Sequence, residues 1–281
     1  MKINRDHLIP IQKGHAVSRG WTRATNYQPL GITWHWTATH DLKTARKILG
    51  GSNPLRKGQA SAHFCVGRSE EEGVDQYVEM QNRSWHCGAG QTLEIDGRPL
   101  RGSAFKGARA TIGIEVVHVG YARRGIPAGK DWIRCLSQNG RQEMWIAPWP
   151  EEQIKMMIEL GRKIVKAYPG IKPEHHHGHA DLCPSRKIEV LGFPMARVLR
   201  GIYFNSALAD SWAPYQSAAG RQTALINCGY DLGASGVDGD WGRLSQAALE
   251  EFQRDAGLVE DGHWTQWVSK AIYKEERGKD Q

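Results

Sequence analysis

Residues 110–120 read ATIGIEVVHVG, the strongest strand pattern in this chain of 281 residues. Ile and Val dominate the run, and β-branched residues favour a buried strand. A second run, residues 31–39, reads GITWHWTAT and alternates apolar with polar residues, which is also typical of a strand. Two shorter strands are predicted at 61–68 and 73–80, joined by an acidic turn.

Helical patterns alternate with these strands. Residues 42–49 are amphipathic and lie between Asp41, which can cap a helix, and Gly50, which can end one. A longer helix is predicted from Pro150 to Pro169, with apolar residues at helical spacing. Strands that alternate with helices predict an α/β domain with a mixed central sheet flanked by helices.

Three further segments complete this first part of the chain. Residues 121–149 predict a long loop, and residues 171–189 predict a polar, His-rich loop. An apolar segment follows at 190–204.

The composition changes near residue 205. Small residues predominate over 206–218, which predicts a linker between a domain at 1–205 and a second domain at 219–275. The second domain contains patterns for three short helices, so a small three-helix bundle is predicted there.

Charge and cysteine content narrow the class of protein. Residues 215–281 carry seven Lys/Arg and eleven Asp/Glu, a net charge of −4, which leaves +11 on residues 1–214. A basic body suits a polyanionic partner such as a cell wall, a membrane surface or nucleic acid. The five cysteines are odd in number and irregularly spaced, which favours a reducing compartment over a disulfide framework.

Targeting patterns are absent from the sequence. The first twenty residues contain no apolar segment typical of a secretory signal, so synthesis in the cytoplasm is expected. No run approaches the roughly 18–20 apolar residues that span a bilayer, so no stable membrane insertion is expected.

Histidines and acidic residues form two candidate metal-binding stretches. His35 lies in the middle of an apolar strand, where it is either a satisfied core histidine or a metal ligand on rigid backbone. His179, Asp181, Cys183 and Glu189 lie in the His-rich loop, which is either a solvated surface or a source of zinc ligands. Three protein ligands and a water are the usual catalytic zinc arrangement.

Two other side chains suit hydrolysis at such a metal. Glu115 lies within the most apolar strand, where burial raises the pKa of a carboxyl group and suits a general base. Lys187 lies two residues before Glu189, so an extended segment directs both side chains to one side. Its ammonium group could stabilise an oxyanion. The alternatives are a solvent-facing glutamate and a surface lysine.

Five motifs in a fixed order resemble the zinc-dependent N-acetylmuramoyl-L-alanine amidases of the type 2 family, which includes phage amidases and peptidoglycan recognition proteins. The motifs are GITWHWTAT at 31–39, SAHF at 61–64, SWHCG at 84–88, IGIEVV at 112–117 and GHADLCPSRKIE at 178–189. The resemblance covers roughly residues 28–204. It implies the mixed α/β amidase fold and cleavage of the amide bond between N-acetylmuramic acid and L-alanine.

The resemblance also implies roles for individual residues. The zinc ligands fall on His35, His179 and Glu189, although the family has Asp or Cys where this chain has Glu189. Cys183 is the alternative third ligand. The catalytic pair falls on Glu115 and Lys187, and the substrate-contacting positions fall on His63, Trp85 and His86.

The C-terminal segment has its own resemblance. Residues 229–265, with their DGDWG turn and an AALEEFQ helix, are similar to the three-helix peptidoglycan-binding domain of wall hydrolases. This implies peptidoglycan as the partner. A calcium site at the same turn is disfavoured because the EF-hand spacing and terminal Glu are missing.

These features together predict a monomeric phage endolysin, made in the host cytoplasm and acting on the cell wall after release. A bacterial recycling or remodelling amidase remains an alternative. A wall-binding protein that has lost hydrolysis is a second alternative, which the change to Glu189 favours. A nucleic-acid binder is disfavoured because no recognition motif accompanies the basic charge.

Overall fold

The computed structural model describes residues 1–9, 17–18, 21–22, 27–50, 60–87, 94–95, 98–99, 109–204 and 215–278. The strands in these ranges are β1 Ile3–Asn4, β2 Val17–Ser18, β3 Trp21–Thr22, β4 Gly31–Trp36, β5 Phe64–Val66, β6 Val74–Gln76, β7 Arg83–Ser84, β8 Glu94–Ile95, β9 Arg98–Pro99, β10 Thr111–Val116, β11 Ile133–Leu136, β12 Glu143–Ile146 and β13 His176–Gly178. The α-helices are α1 Leu42–Leu49, α2 Glu151–Ala167, α3 His179–Leu182, α4 Met195–Tyr203, α5 Ala218–Cys228, α6 Arg243–Asp255 and α7 Gln266–Gly278.

The main sheet has six strands in the order β1-β6-β5-β10-β4-β13. All neighbouring pairs are parallel except β5 with β6, so the sheet is mixed. Helices α2 and α4 cover one face of this sheet with apolar side chains that pack on the strands. The predicted α/β fold with a mixed central sheet flanked by helices is therefore confirmed.

The two faces of the central strands differ in polarity. Ile32, Trp34 and Ile114 belong to the apolar core under α2 and α4. Because side chains alternate along a strand, His35 and Glu115 lie on the opposite face. That face carries the candidate site, and the apolar face holds its strands in place.

Two of the loop predictions are wrong. Residues 121–149 contain an antiparallel hairpin, in which β11 pairs with β12 and Ile133 lies opposite Ile146. Residues 171–189 contain a short 3-10 helix, strand β13 and helix α3. Strand β13 consists of two histidines and a glycine, so its sequence has no apolar strand pattern. The segment is a strand because it pairs with β4.

The helix predicted at 42–49 is confirmed, with Asp41 accepting a hydrogen bond from the Thr44 amide at 2.6 Å.

Helices α5, α6 and α7 form the predicted C-terminal bundle around a core that includes Leu225, Phe252 and Ile272. Gly229 ends α5 in the left-handed region, at a φ of 100°, which favours glycine.

The predicted linker, 206–218, lies mostly outside the described residues, and the boundaries of the predicted domains and linker stay predictions. Among the described helices, none is long and apolar enough to span a membrane. All five cysteines are buried and free.

The C-terminal bundle packs directly on the α/β domain through a buried arginine. Arg221 is 3% exposed and donates to the carbonyl oxygens of Leu136, Ser137 and Tyr215 at 2.7, 2.8 and 2.9 Å. Two of these acceptors belong to the hairpin of β11 and β12 or its turn. The guanidinium also lies 5.3 Å from the centroid of the Trp264 ring. This arginine therefore joins the bundle to the hairpin.

A second contact joins the bundle to the segment that carries α3. The Gln266 amide N–H donates to Asp181 Oδ1 at 3.2 Å, and the Gln266 side chain contacts His177. The Trp267 ring lies 5.6 Å from the His177 ring. The start of α7 therefore packs beside the turn between β13 and α3.

The interface makes a testable prediction. Arg221→Ala removes all three side-chain hydrogen bonds at a buried position, so it should lower the free energy of unfolding by about 2–4 kcal/mol. The measurement is urea-induced unfolding, monitored by circular dichroism. Arg243→Ala, at an exposed position on α6, is the matched control and should change stability by less than about 0.5 kcal/mol. Equal midpoints for the two variants would contradict the prediction.

Candidate active site

The candidate site lies where β4, β10 and β13 approach their carboxyl ends. Parallel pairing sets Glu115 of β10 directly opposite His35 of β4. On the other side of β4, β13 pairs in parallel, and its last residue, Gly178, lies opposite Trp34. Helix α3 begins at the next residue, His179. Strand register alone therefore brings His35, Glu115 and His179 to one edge of the sheet.

Three possible metal ligands converge at this edge. Among the described residues, one group of His, Cys, Asp and Glu side chains has its ligand atoms within 4.8 Å of one another, and its members are His35, His179 and Glu189. Oε1 of Glu189 lies 3.6 Å from Nδ1 of His35 and 2.5 Å from Nδ1 of His179. Tetrahedral zinc with bonds of about 2.0–2.1 Å separates its ligand atoms by about 3.3 Å. Two imidazoles and one carboxylate are donors that suit zinc, and the separation between His35 and Glu189 is close to the value that zinc requires.

Glu189 reaches the site from the segment that follows α3. Its backbone carbonyl accepts a hydrogen bond from the Ala180 amide at 2.5 Å, which fixes the segment beside the helix. Burial acts to raise the pKa of Glu189, but hydrogen bonds with His179 and His35 outweigh it and hold the pKa well below its usual range. Glu189 is therefore ionised at neutral pH, as a metal ligand must be.

Lys187 adds a positive charge beside the carboxylate. Its Nζ atom lies 3.3 Å from Oε1 of Glu189, and its side chain is 30% exposed. The ammonium group is thus held at the rim of the site, where a substrate carbonyl could reach it.

Glu115 is a carboxyl group without a hydrogen-bond partner on one oxygen. Its Oε2 atom is buried and unpaired among the described residues, although the side chain as a whole is partly accessible. Burial, together with the negative charge of Glu189, raises the pKa of Glu115 to about 8, and the nearby Lys187 offsets part of this rise. A carboxyl group with a pKa near neutrality can both accept and donate a proton.

The structure places the remaining predicted residues at different depths. His86 is 8% exposed, and its Nδ1 lies 3.0 Å from Nε2 of His35. His63 is fully buried, and its ring accepts a hydrogen bond from the Gly113 amide at 2.9 Å. Trp85 is only partly buried. Cys183, the alternative ligand, is buried and lies outside the group of converging ligands. The roles assigned to all these residues stay predictions.

Two positions near the site were not predicted from the sequence. The Thr111 carbonyl accepts from the His86 ring at 3.1 Å, and Gly113 lies against the same ring. A Cβ atom on Gly113 would lie 2.3 Å from Cγ of His86. The sequence did offer one indication of this contact. Gly113 lies inside the strongest strand, and a glycine within a strand often marks a place where another group approaches the backbone closely.

The sequence profile of the N-acetylmuramoyl-L-alanine amidases matches residues 25–189, which is more than half of the chain. The chain therefore belongs to this family of enzymes. A second profile, for a peptidoglycan binding domain, matches residues 221–272, which span the C-terminal bundle.

Solved structures of other proteins are similar to this chain. One is AmpDh3 from Pseudomonas aeruginosa, at 18% identity over 98% of this chain and 100% of that chain, with a TM-score of 0.47. Another is the N-acetylmuramyl-L-alanine amidase AmiD from E. coli in complex with an anhydro-muropeptide substrate, at 21% identity over 98% of both chains, with a TM-score of 0.48. A mutant endolysin from Bacillus subtilis has 17% identity over 72% of this chain and 98% of that chain, with a TM-score of 0.40. A search of curated protein sequences finds no match.

The raised pKa of Glu115 makes the stability of the metal-free protein depend on pH. Between the ordinary carboxyl value of 4.5 and about 8, the folded protein keeps this proton and the unfolded chain releases it. Unfolding therefore becomes easier as pH rises through this window. Glu115→Gln removes the effect, so the variant should gain about 4 kcal/mol over wild type at pH 8 and close to nothing at pH 4.5.

Urea unfolding of both chelator-treated proteins at the two pH values measures this difference. Glu71→Gln, at an exposed position, is the matched control and should follow wild type at both values. A stability difference that is the same at pH 4.5 and pH 8 would show that Glu115 titrates normally.

Proposed function

We propose that this chain is a zinc-dependent hydrolase that cleaves the amide bond between N-acetylmuramic acid and L-alanine in peptidoglycan. The observation that carries the proposal is the convergence of His35, His179 and Glu189 beside a buried carboxyl group and an ammonium group, in a chain of the amidase family. Two imidazoles and a carboxylate are a common ligand set for catalytic zinc, as in several zinc peptidases. Glu189 completes this set in place of the Asp or Cys usual in the family.

Zinc bound by these three residues supplies a Lewis acid that polarises a carbonyl group and acidifies water. The chain's own residues then handle the protons. Glu115, with its unpaired Oε2, takes a proton from the attacking water as the water oxygen bonds to the lactyl carbonyl carbon. It then delivers that proton to the leaving nitrogen of L-alanine as the C–N bond breaks.

Lys187 acts on the carbonyl oxygen. Negative charge develops on this oxygen when water adds to the carbon, and a nearby ammonium group stabilises it. Because Lys187 is anchored to Glu189 at 3.3 Å, its charge lies beside the metal ligands rather than free in solvent. Its long side chain and partial exposure allow it to turn toward a substrate.

The rest of the chain supports a wall polymer as the substrate. The peptidoglycan binding domain packs on the catalytic domain, and residues 1–214 carry a net charge of +11, which attracts an anionic wall. Within this proposal we infer an endolysin that acts on intact walls after synthesis in the host cytoplasm. A recycling enzyme that acts on soluble wall fragments is the second candidate.

The ligand set predicts the effect of two substitutions. Glu189→Ala removes the only carboxylate of the converging group, so zinc affinity should fall at least 100-fold and activity should fall with it. Cys183→Ser should keep the zinc content of wild type, because Cys183 lies outside that group. Zinc per protein after dialysis, measured by atomic emission, is the readout. If the cysteine variant loses zinc and the glutamate variant keeps it, the assignment of Glu189 is wrong.

Mass spectrometry of digested peptidoglycan tests the reaction itself. The zinc-loaded protein should release stem peptides that begin with L-alanine, and chelator-treated protein should release none. Incubation with both intact sacculi and soluble muropeptides separates the candidates, since an endolysin should clear sacculi and a recycling enzyme should act on soluble fragments alone. Protein that pellets with sacculi but leaves every amide intact would instead be a wall-binding protein without hydrolase activity.

A further inference from the structure

His86 lies behind the candidate zinc ligand His35, between this ligand and strand β10. The two rings meet edge to face, with centroids 5.1 Å apart and Nε2 of His35 3.0 Å from Nδ1 of His86. The other nitrogen of His86, Nε2, lies 3.1 Å from the Thr111 carbonyl oxygen. Both ring nitrogens of His86 are therefore occupied inside the protein.

The direction of these hydrogen bonds follows from the carbonyl group. A carbonyl oxygen can only accept, so Nε2 of His86 carries a hydrogen and donates it to Thr111. The ring is buried, and its two nitrogens face another imidazole and a carbonyl oxygen rather than a carboxylate, so the ring is neutral at neutral pH. A neutral imidazole with hydrogen on Nε2 has none on Nδ1. Nδ1 of His86 is therefore an acceptor, and Nε2 of His35 must be the donor.

This arrangement determines which nitrogen of His35 can bind a metal. A histidine that binds a metal must be neutral, so this ring also carries a single hydrogen. With that hydrogen on Nε2, the lone pair on Nδ1 points toward Oε1 of Glu189, 3.6 Å away. Two acceptors that face each other repel, and a cation between them removes the repulsion. In the other tautomer, Nδ1–H would donate to the carboxylate and block the metal position.

The His86 ring has little freedom to move away from this contact. Gly113 lies against one side of it, and even a methyl group there would overlap the ring. The Thr111 side chain is held by Thr33, with the two hydroxyl oxygens 2.7 Å apart. The contact between His86 and His35 is therefore built into the pairing of β4 with β10.

We propose that His86 is a positioning residue that keeps His35 in the tautomer able to bind zinc. The proposal rests on the proposed zinc site and adds to it the reason why one ligand is prepared for the metal. It assigns His86 a role different from substrate contact, because neither ring nitrogen is free for a substrate. Loss of such an outer hydrogen-bond partner typically lowers metal affinity about 10–100-fold.

Two substitutions of His86 and one control test the proposal in the full-length protein. His86→Leu fills the space but cannot accept a hydrogen bond, whereas the side-chain oxygen of Asn in His86→Asn can lie near the position of Nδ1. His118→Leu is the matched control. His118 is buried as well, and its Nε2 lies 3.0 Å from the Ala147 carbonyl oxygen, but it does not touch a candidate metal ligand. Zinc affinity is measured by competition with a chromophoric chelator, using zinc alone as the probe.

His86→Leu should bind zinc about 10–100-fold more weakly than wild type, and His86→Asn should recover most of that loss. His118→Leu should bind zinc as wild type does, even where its unfolding midpoint is lower. Wild-type zinc affinity in His86→Leu would overturn the proposal. A raised KM at unchanged zinc affinity would also overturn it, because that pair of results identifies a substrate contact.

Nitrogen-15 NMR of the metal-free protein gives a readout that does not depend on zinc. Both His35 and His86 should show the tautomer with hydrogen on Nε2, and His35 should lose this preference in His86→Leu. A His35 with hydrogen on Nδ1 in wild type would overturn the proposal. A wild-type protein with the expected tautomers but no zinc affinity would instead refute the proposed zinc function and leave the tautomer assignment standing.

Discussion

The parallel, in-register pairing of β10 with β4 is the constraint on which the site depends. It sets Glu115 directly beside His35, and the pairing of β13 with β4 then brings His179 to the same edge. A shift of one residue in either register would move these side chains to the opposite face of the sheet. The apolar core under α2 and α4 prevents such a shift, because it would expose Ile32, Trp34 and Ile114.

The polar face of the sheet holds groups that disfavour folding. A buried carboxyl group with an unpaired oxygen and several neutral, buried histidines cost free energy that hydrophobic burial elsewhere must offset. The close packing of α2 on α4 contributes to that offset. Gly161 and Gly201 allow this approach, since each lies against an isoleucine of the other helix. The sheet thus carries an apolar, closely packed face and a polar face that holds the candidate site.

The C-terminal bundle is joined to the catalytic domain at two places, the β11–β12 hairpin and the start of α3. Arg221 binds carbonyl groups of the hairpin and its turn, and Gln266 binds Asp181, two residues after His179. The C-terminal bundle therefore packs against the helix that carries the candidate metal ligand His179. The hydrogen bonds of Arg221 and Gln266 hold it in place beside the candidate site.

The sequence by itself determined the class of fold and the central strands, and it named the residue types available at the candidate site. Apolar alternation in β4 and β10 predicted both strands, and Asp41 predicted the start of α1. These predictions succeeded because strand periodicity and helix capping are local properties of the chain. The motifs named His35, His179, Glu189, Glu115 and Lys187 through a resemblance, and their roles stay predictions.

Only the tertiary structure decided what depends on contacts between distant segments. The hairpin of β11 and β12 and the strand β13 were missed, because short polar strands form by pairing with partners and not by their own composition. The choice of Glu189 over Cys183 for the converging group, and the place of His86 behind His35, likewise depend on distances between residues far apart in sequence. Residue types indicate which chemistry is available, and the folded geometry decides which groups meet.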